Sequence, residues 1–160
     1  MNNIQKAGFI VAVSFIVVLV TYAFSPLLYD KQVSEDIAEI NTPTKETETG
    51  IEIVGEGSFI GLEGHNAKGT TKLLKADEKY FVRLEDDFEV TNGPDLFVFL
   101  GKDGKYDPSA EVGRLKGNVG GQNYNIPDNI DIGKYNEVWI WCKAFSVDFA
   151  KAPLGQPKVL

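Results

Sequence analysis

The stretch EVWIWCKAFSVDF, residues 137–149, decides the fold class of this chain. Its apolar and aromatic residues alternate as they do in a half-buried strand, where successive side chains point to opposite faces. One predicted face carries Val138, Ile140, Cys142 and Ala144, and the other carries Trp139, Trp141, Lys143 and Phe145. The pattern therefore predicts a β-strand rather than a helix.

Similar segments recur upstream, each rich in Phe, Val, Ile, Tyr or Thr and bounded by turn residues such as Asn-Gly-Pro and Asp-Gly. Besides 137–149, the predicted strands are residues 58–63, 69–75, 79–85, 96–101 and 123–126. None of this region shows a sustained helical period. We therefore expect an all-β domain over residues 51–160, built as an antiparallel sandwich or barrel.

Cys142 is the only cysteine, so an intrachain disulfide is excluded. A lone cysteine between Val and Ile neighbours is commonly a small core residue. Alternatively, it is a reactive thiol tuned by Lys143 next to it, or a metal ligand. A disulfide between two chains is a third alternative.

His65 is the only histidine and lies in a glycine-rich segment, residues 61–69. It is either a loop residue that makes a backbone hydrogen bond or a partner of Cys142 in a metal or redox site. One His and one Cys do not complete a tetrahedral zinc site, so carboxylates would have to supply the remaining ligands. The acidic residues 85–87 and Asp128 and Asp131 lack EF-hand spacing, and we interpret them as solvated turns, with calcium binding as the alternative.

The charge distribution excludes one class of partner. The chain has a net charge of −7, and its basic residues form no patch with interleaved aromatics. Nucleic-acid binding requires such a basic surface, so we expect no nucleic-acid partner. No complete catalytic motif is present, so the sequence leaves open whether the protein is an enzyme.

The N-terminal part of the chain predicts a membrane anchor. Residues 7–29 contain no charged side chain and are long enough to cross a bilayer as a helix. Lys6 precedes this run and acidic residues follow it, so we expect residues 1–6 in the cytoplasm and the domain outside the cell membrane. A cleaved signal peptide is the alternative, although its apolar core is usually shorter.

Between the anchor and the domain lies an acidic linker, residues 30–50. It has Thr, Pro, Lys, Glu and Gly in its second half and no apolar period. Such a composition is typical of a flexible, solvated stalk.

The domain resembles the DM-thirteen family from about Gly55 to Leu154. The resemblance is carried by motifs that occur in order along the chain: Gly57-Ser-Phe59, His65 with Gly69-Thr70, Phe88, Asn92-Gly-Pro-Asp-Leu96, Phe97-Val-Phe-Leu100, Gly113, Asn123-Tyr124, Tyr135, Val138-Trp-Ile-Trp-Cys142, Phe145, Phe149, Ala152 and Leu154. The Gly-Pro-Asp and Trp-Cys-x-x-Phe segments are its most specific parts.

This resemblance implies an extracytoplasmic β-sandwich of the electron-transfer type, found in larger proteins beside DOMON and b-type cytochrome modules. It implies that Cys142 is a redox-active cysteine, and His65 matches a family position without an assigned role. Because this chain contains no such partner module, a separate redox or protein partner is expected. The other hypothesis is a non-enzymatic adhesion or interaction domain in which Cys142 is structural.

Overall fold

The structure, a computed structural model, describes residues 3–24, 29–40 and 50–155. Its one α-helix, α1 (Asn3–Phe24), exposes apolar side chains such as Phe9, Ile10 and Val18. Within the described ranges, no helix combines the length and hydropathy needed to cross a membrane. The predicted span over residues 7–29 is thus not confirmed and stays a prediction, and its residues 25–28 lie outside the described ranges.

The rest of the described chain is mainly β-structure, which confirms the expected class. Two short 3-10 helices, Ile37–Ile40 and Ile132–Lys134, interrupt it. The strands are β1 (Glu52–Ser58), β2 (Ile60–Gly61), β3 (Ala67–Lys68), β4 (Thr70–Ala76), β5 (Lys79–Leu84), β6 (Glu89–Val90), β7 (Leu96–Lys102), β8 (Lys105–Arg114), β9 (Gln122–Asn125), β10 (Glu137–Cys142) and β11 (Val147–Pro153).

Two antiparallel sheets form the body of the domain. Sheet one has the order β1-β4-β5-β9, and sheet two has the order β2-β11-β10-β7-β8. Strands β3 and β6 form a separate two-stranded ribbon. Side chains from both sheets share one buried cluster, including Leu73, Val82, Leu84, Leu100, Val138 and Ile140. The two sheets therefore face each other as a sandwich.

Several strand predictions differ from the structure. The predicted strand 137–149 is two strands, β10 and β11, joined by a tight turn over residues 143–146. Ala144 and Phe145 therefore lie in this turn and not on the strand faces. The predicted strand 58–63 is divided between the end of β1 and the short β2, and the sequence did not predict β1 or β8 as such.

The first half of the predicted linker does not behave as a free stalk. Residues 29–40, here called the strap, lie along sheet one next to β9. Val33 N donates to Val119 O over 2.9 Å, and Glu35 N donates to Gly121 O over 3.0 Å. At the far end of the strap, Ile40 is buried in a small cluster with Leu74 and Ala76. Residues 41–49 of the linker and residues 156–160 of the predicted domain lie outside the described ranges.

Charged side chains fix the middle of the strap, and composition alone did not reveal this. The Glu35 carboxylate accepts hydrogen bonds from Lys116 Nζ and from Asn123 N, both over 2.8 Å. The nearly buried Arg83 guanidinium donates to Glu35 O over 2.5 Å and pairs with Asp86 over 2.9 Å. Because the buried Arg83 charge has a carboxylate partner and a carbonyl acceptor, the strap is attached by polar bonds as well as by Ile40.

Candidate functional site

Cys142 is the last residue of β10 and lies in the core of the sandwich. In the ladders of sheet two it is opposite Leu96 of β7 and Val147 of β11. Its side chain is fully buried, in the same cluster as Val138 and Ile140. The alternation expected from the sequence thus places the thiol on the inner face of the sheet, where it packs as a small apolar side chain.

The side chain of Lys143 lies on the other face of sheet two from the Cys142 thiol. Its ammonium lies 3.7 Å from the centroid of the Phe97 ring and 2.6 Å from the Glu111 carboxylate. Phe97 and Glu111 belong to the outer side of sheet two, whereas Cys142 faces the interior. The positive charge is therefore paired with a carboxylate on the opposite face of the sheet.

His65 lies in the turn after β2, where Glu63 and Gly64 both have positive φ values of 50° and 82°. Its backbone N–H donates to Leu62 O over 2.8 Å, as expected for a loop residue. Its imidazole stacks on the Phe149 ring with centroids 3.6 Å apart and an angle of 13°. Phe149 follows Val147, the partner of Cys142 in the β10–β11 ladder, by two residues, so His65 lies towards the end of sheet two that carries Cys142.

The structure describes no group of three or more His, Cys, Asp or Glu residues that could hold a metal ion. His65 and Cys142 are only two such residues, so they do not form a group of this size. A metal ion held by this pair stays a prediction. The acidic turns have protein partners: Asp87 accepts from Thr70 N and Asp131 accepts from Gly133 N.

A loop over residues 91–95, the NGP loop, covers this end of the sandwich. A Cβ atom on Gly93 would lie 2.8 Å from Leu96 Cδ2 and 3.0 Å from Phe149 Cε1, so only glycine fits without a shift. Asn92 caps the turn, because its Oδ1 accepts from Gly93 N over 2.9 Å. Asp95 O accepts from Lys143 N over 3.0 Å, which attaches the NGP loop to the turn after Cys142.

The outer face of sheet two carries an aromatic layer whose full extent the sequence did not show. Tyr106 of β8, a strand missed from sequence, lies 4.8 Å from Trp141 and 5.3 Å from Phe99 between ring centroids. Burial, followed by the charge of Asp148, raises the pKa of Tyr106. Trp139 is buried in this layer, and its Nε1 donates to Glu137 Oε2 over 3.0 Å. The two tryptophans therefore pack mainly against protein and not as an open platform.

The larger of the two cavities described lies at the opposite end of the sandwich. It has a volume of about 770 Å³, and the residues lining it include Tyr80, Tyr135 and Lys102. Neither Cys142 nor His65 lines it. The cavity and the two residues singled out by sequence are therefore separate features.

By its fold and candidate site, this protein is a small antiparallel β-sandwich domain with one buried cysteine in its core. The sequence profile of a family described as "Electron transfer DM13" matches residues 58–154, which include both His65 and Cys142. The chain therefore belongs to this electron-transfer family, as the resemblance predicted. A search of curated proteins and a search of solved structures gave no match.

Proposed function

We propose that this protein is a membrane-tethered, extracytoplasmic electron-transfer domain in which Cys142 is the redox-active residue. The observation that carries the proposal is the family match over residues 58–154, which spans most of the sandwich. The common location of Cys142 and His65 at one end of the fold supports a single site there. The electron donor or acceptor is a separate protein or carrier.

The tether is α1. Its 22 residues correspond to a length of about 33 Å, close to the thickness of a hydrocarbon core. Apolar side chains such as Phe9, Phe15 and Val18 are exposed along it, and an aqueous environment would leave this surface uncovered. Lys6 at its start favours a cytoplasmic N-terminus.

A second function is favoured by the complete burial of Cys142. A thiol without solvent exposure does not meet a soluble partner in the folded state. In this alternative the protein is a non-enzymatic adhesion or interaction domain, and Cys142 contributes only to the core. Electron transfer at Cys142 instead requires a group held inside the fold or an opening of the NGP loop.

The test uses the full chain in detergent micelles without oxygen, where Cys142 is the only thiol. We would measure the rate of thiol alkylation against pH, first in the folded protein and then in urea. An oxidative titration with hydrogen peroxide converts a thiol into a sulfenic acid, with peroxide reduced to water. It would count the electrons released by the wild type, by Cys142→Ala and by the control Ala144→Ser in the neighbouring exposed turn.

We expect this two-electron oxidation in the wild type and in Ala144→Ser, and its loss in Cys142→Ala. If the folded protein is alkylated faster than it unfolds globally, Cys142 becomes accessible through local opening of the structure around it. If no folded form is oxidised and labelling occurs only in urea, Cys142 is a core residue and the interaction function replaces the redox one.

A further inference from the structure

The strap enters the domain at the end that carries Cys142, which we call the Cys142 end. Tyr29 O accepts from Asn92 Nδ2 of the NGP loop over 2.6 Å. Two residues on, Lys31 N donates to Asn118 Oδ1, and Asn118 Nδ2 donates to Asp30 Oδ1, both over 2.7 Å. The chain that leads from α1 is therefore bonded to this end and not to the end with the large cavity.

The same NGP loop holds the turn between β10 and β11. This turn, residues 143–146, is attached through Lys143 N to Asp95 O and closes with Ser146 at a positive φ of 53°. Phe145 lies at its tip with 63% of its surface exposed. An exposed phenylalanine in a tight turn contributes nothing to the core, and its apolar surface is available for another environment.

Tyr29 is the last residue of the predicted anchor, and it is also exposed. Aromatic side chains are enriched where a protein meets the boundary between lipid and water. Two exposed aromatics, one on the strap and one on the turn, are thus held at the same end of the domain through a single loop. The exposed charges at this end include both signs, with Asp30 and Glu63 acidic and Lys31 and Arg114 basic, so we expect no strong attraction to anionic lipid.

We propose that Phe145 inserts into the interfacial zone of the bilayer that holds α1, so that the Cys142 end of the domain faces the membrane. This inference rests on the proposed tethering by α1 and not on the redox role of Cys142. The inference also gives the direction of access to Cys142, because the redox partner would then approach from the membrane side. The large cavity then faces away from the membrane.

The experiment places an environment-sensitive fluorophore at one cysteine of the full chain in a Cys142→Ala background. The probe is attached at Phe145→Cys and, as a matched control, at Ile53→Cys, because Ile53 is 49% exposed at the opposite end of the sandwich. Both proteins are reconstituted into phosphatidylcholine liposomes, and flotation first establishes that the chain is membrane-bound. Lipids that carry a nitroxide quencher near the headgroup are then added.

We expect the probe at position 145 to show a blue shift and strong quenching, and the probe at position 53 to show neither. Equal emission and equal quenching at the two positions in floating protein would overturn the inference while leaving the tether intact. Failure of the protein to float would overturn the tether itself, and with it the inference. The result does not depend on whether Cys142 carries electrons.

A second measurement needs no substitution. Hydroxyl-radical footprinting of the wild-type chain in the same liposomes compares modification of Phe145 with that of Ile53. In water the more exposed and aromatic Phe145 would react faster, so insertion predicts that the order is reversed. Faster modification of Phe145 in liposomes would contradict the proposed insertion.

Discussion

At the scale of single residues, Cys142 has a stability role that is independent of any redox role. Its sulfur occupies a fully buried site among aliphatic side chains. Replacing it by serine would place a hydroxyl there, and a buried hydroxyl without a partner costs about 1–3 kcal/mol.

We therefore expect Cys142→Ser to lower the free energy of unfolding by about 1–3 kcal/mol. Cys142→Ala leaves no unpaired polar atom and should lose less. Urea denaturation followed by tryptophan fluorescence measures both. A serine variant as stable as the wild type would mean that the hydroxyl finds an acceptor in the core.

Glu35 makes the attachment of the strap dependent on pH. Partial burial acts to raise the pKa of its carboxyl, but hydrogen bonds from Lys116 and Asn123 and the charges of Lys116 and Arg83 outweigh it, so the pKa lies below the usual 4.5. A carboxyl with a lowered folded-state pKa stabilises the fold above its unfolded pKa. This contribution is lost as the pH falls through the lower, folded-state pKa.

We expect Glu35→Gln to be less stable than the wild type near neutral pH, by less than about 1 kcal/mol because the pair is partly solvated. The difference should shrink as the pH is lowered below 4.5. Denaturation midpoints of the two proteins at a series of pH values provide the measurement. A difference that grows on acidification would show that Glu35 is not the stabilising carboxylate.

At the scale of secondary-structure elements, β7 and β10 approach closely where the aromatic layer begins. A Cβ atom on Gly101 would lie 2.3 Å from Trp139 Nε1 and 2.5 Å from Lys105 O. One of these contacts is with backbone, so the clash cannot be relieved by a side-chain rotation alone. Gly113, in the neighbouring strand β8, has its closest contact at an ordinary 3.5 Å from Tyr124 Cδ1.

Gly101→Ala is therefore expected to cost roughly 1–3 kcal/mol through overpacking. Gly113→Ala serves as the matched control and should be close to neutral. The thermal unfolding midpoints of the two variants are compared by near-UV circular dichroism, because the aromatic layer gives a signal in this range. Equal midpoints for the two variants would contradict the close approach of β7, β10 and the turn after β7.

The strands show what the sequence could and could not predict. The alternation in 137–142 correctly placed Cys142 with Val138 and Ile140, because a strand covered on one face fixes its register. The turn at 143–146 was missed since Lys143-Ala-Phe-Ser contains no Gly, Pro, Asn or Asp, and Ser146 supplies the positive φ instead. Strand β8 was missed because Pro108 and Gly113 weaken its pattern, although an edge strand tolerates both.

The candidate site was predictable only in part. The sequence singled out His65 and Cys142 as candidates, but the stack of His65 on Phe149 depends on a contact between residues 84 positions apart in the chain. No local pattern encodes such a contact. The side-chain orientation of Lys143 also depends on contacts with Phe97 and Glu111 from other strands. The composition of the chain does not reveal these contacts.

At the scale of the whole molecule, the strap joins the region near α1 to the sandwich. Ile40 is buried against Leu74 and Ala76 on sheet one, whereas Ile37 in the same 3-10 helix is exposed. Burial of an isoleucine side chain contributes about 1.5–3 kcal/mol relative to exposure.

We expect Ile40→Ala to lower the free energy of unfolding by about 2 kcal/mol, and Ile37→Ala to change it little. Chemical denaturation of the full chain in micelles gives both values. Hydrogen exchange should in addition show faster exchange at Val33 and Glu35 in Ile40→Ala. Equal effects of the two substitutions would mean that the strap is not held at its far end.

The strap also has a consequence for how copies of this protein behave at high local density. Its hydrogen bonds to residues 119 and 121 lie just before β9, the last strand of sheet one, and its Glu35 carboxylate accepts from Asn123 N within β9. The strap therefore shields an edge to which a further strand could add. Uncovered sheet edges are templates for growth of fibrils from neighbouring chains. Release of the strap would uncover this edge, so we expect chains with a detached strap to associate edge to edge more readily than intact ones.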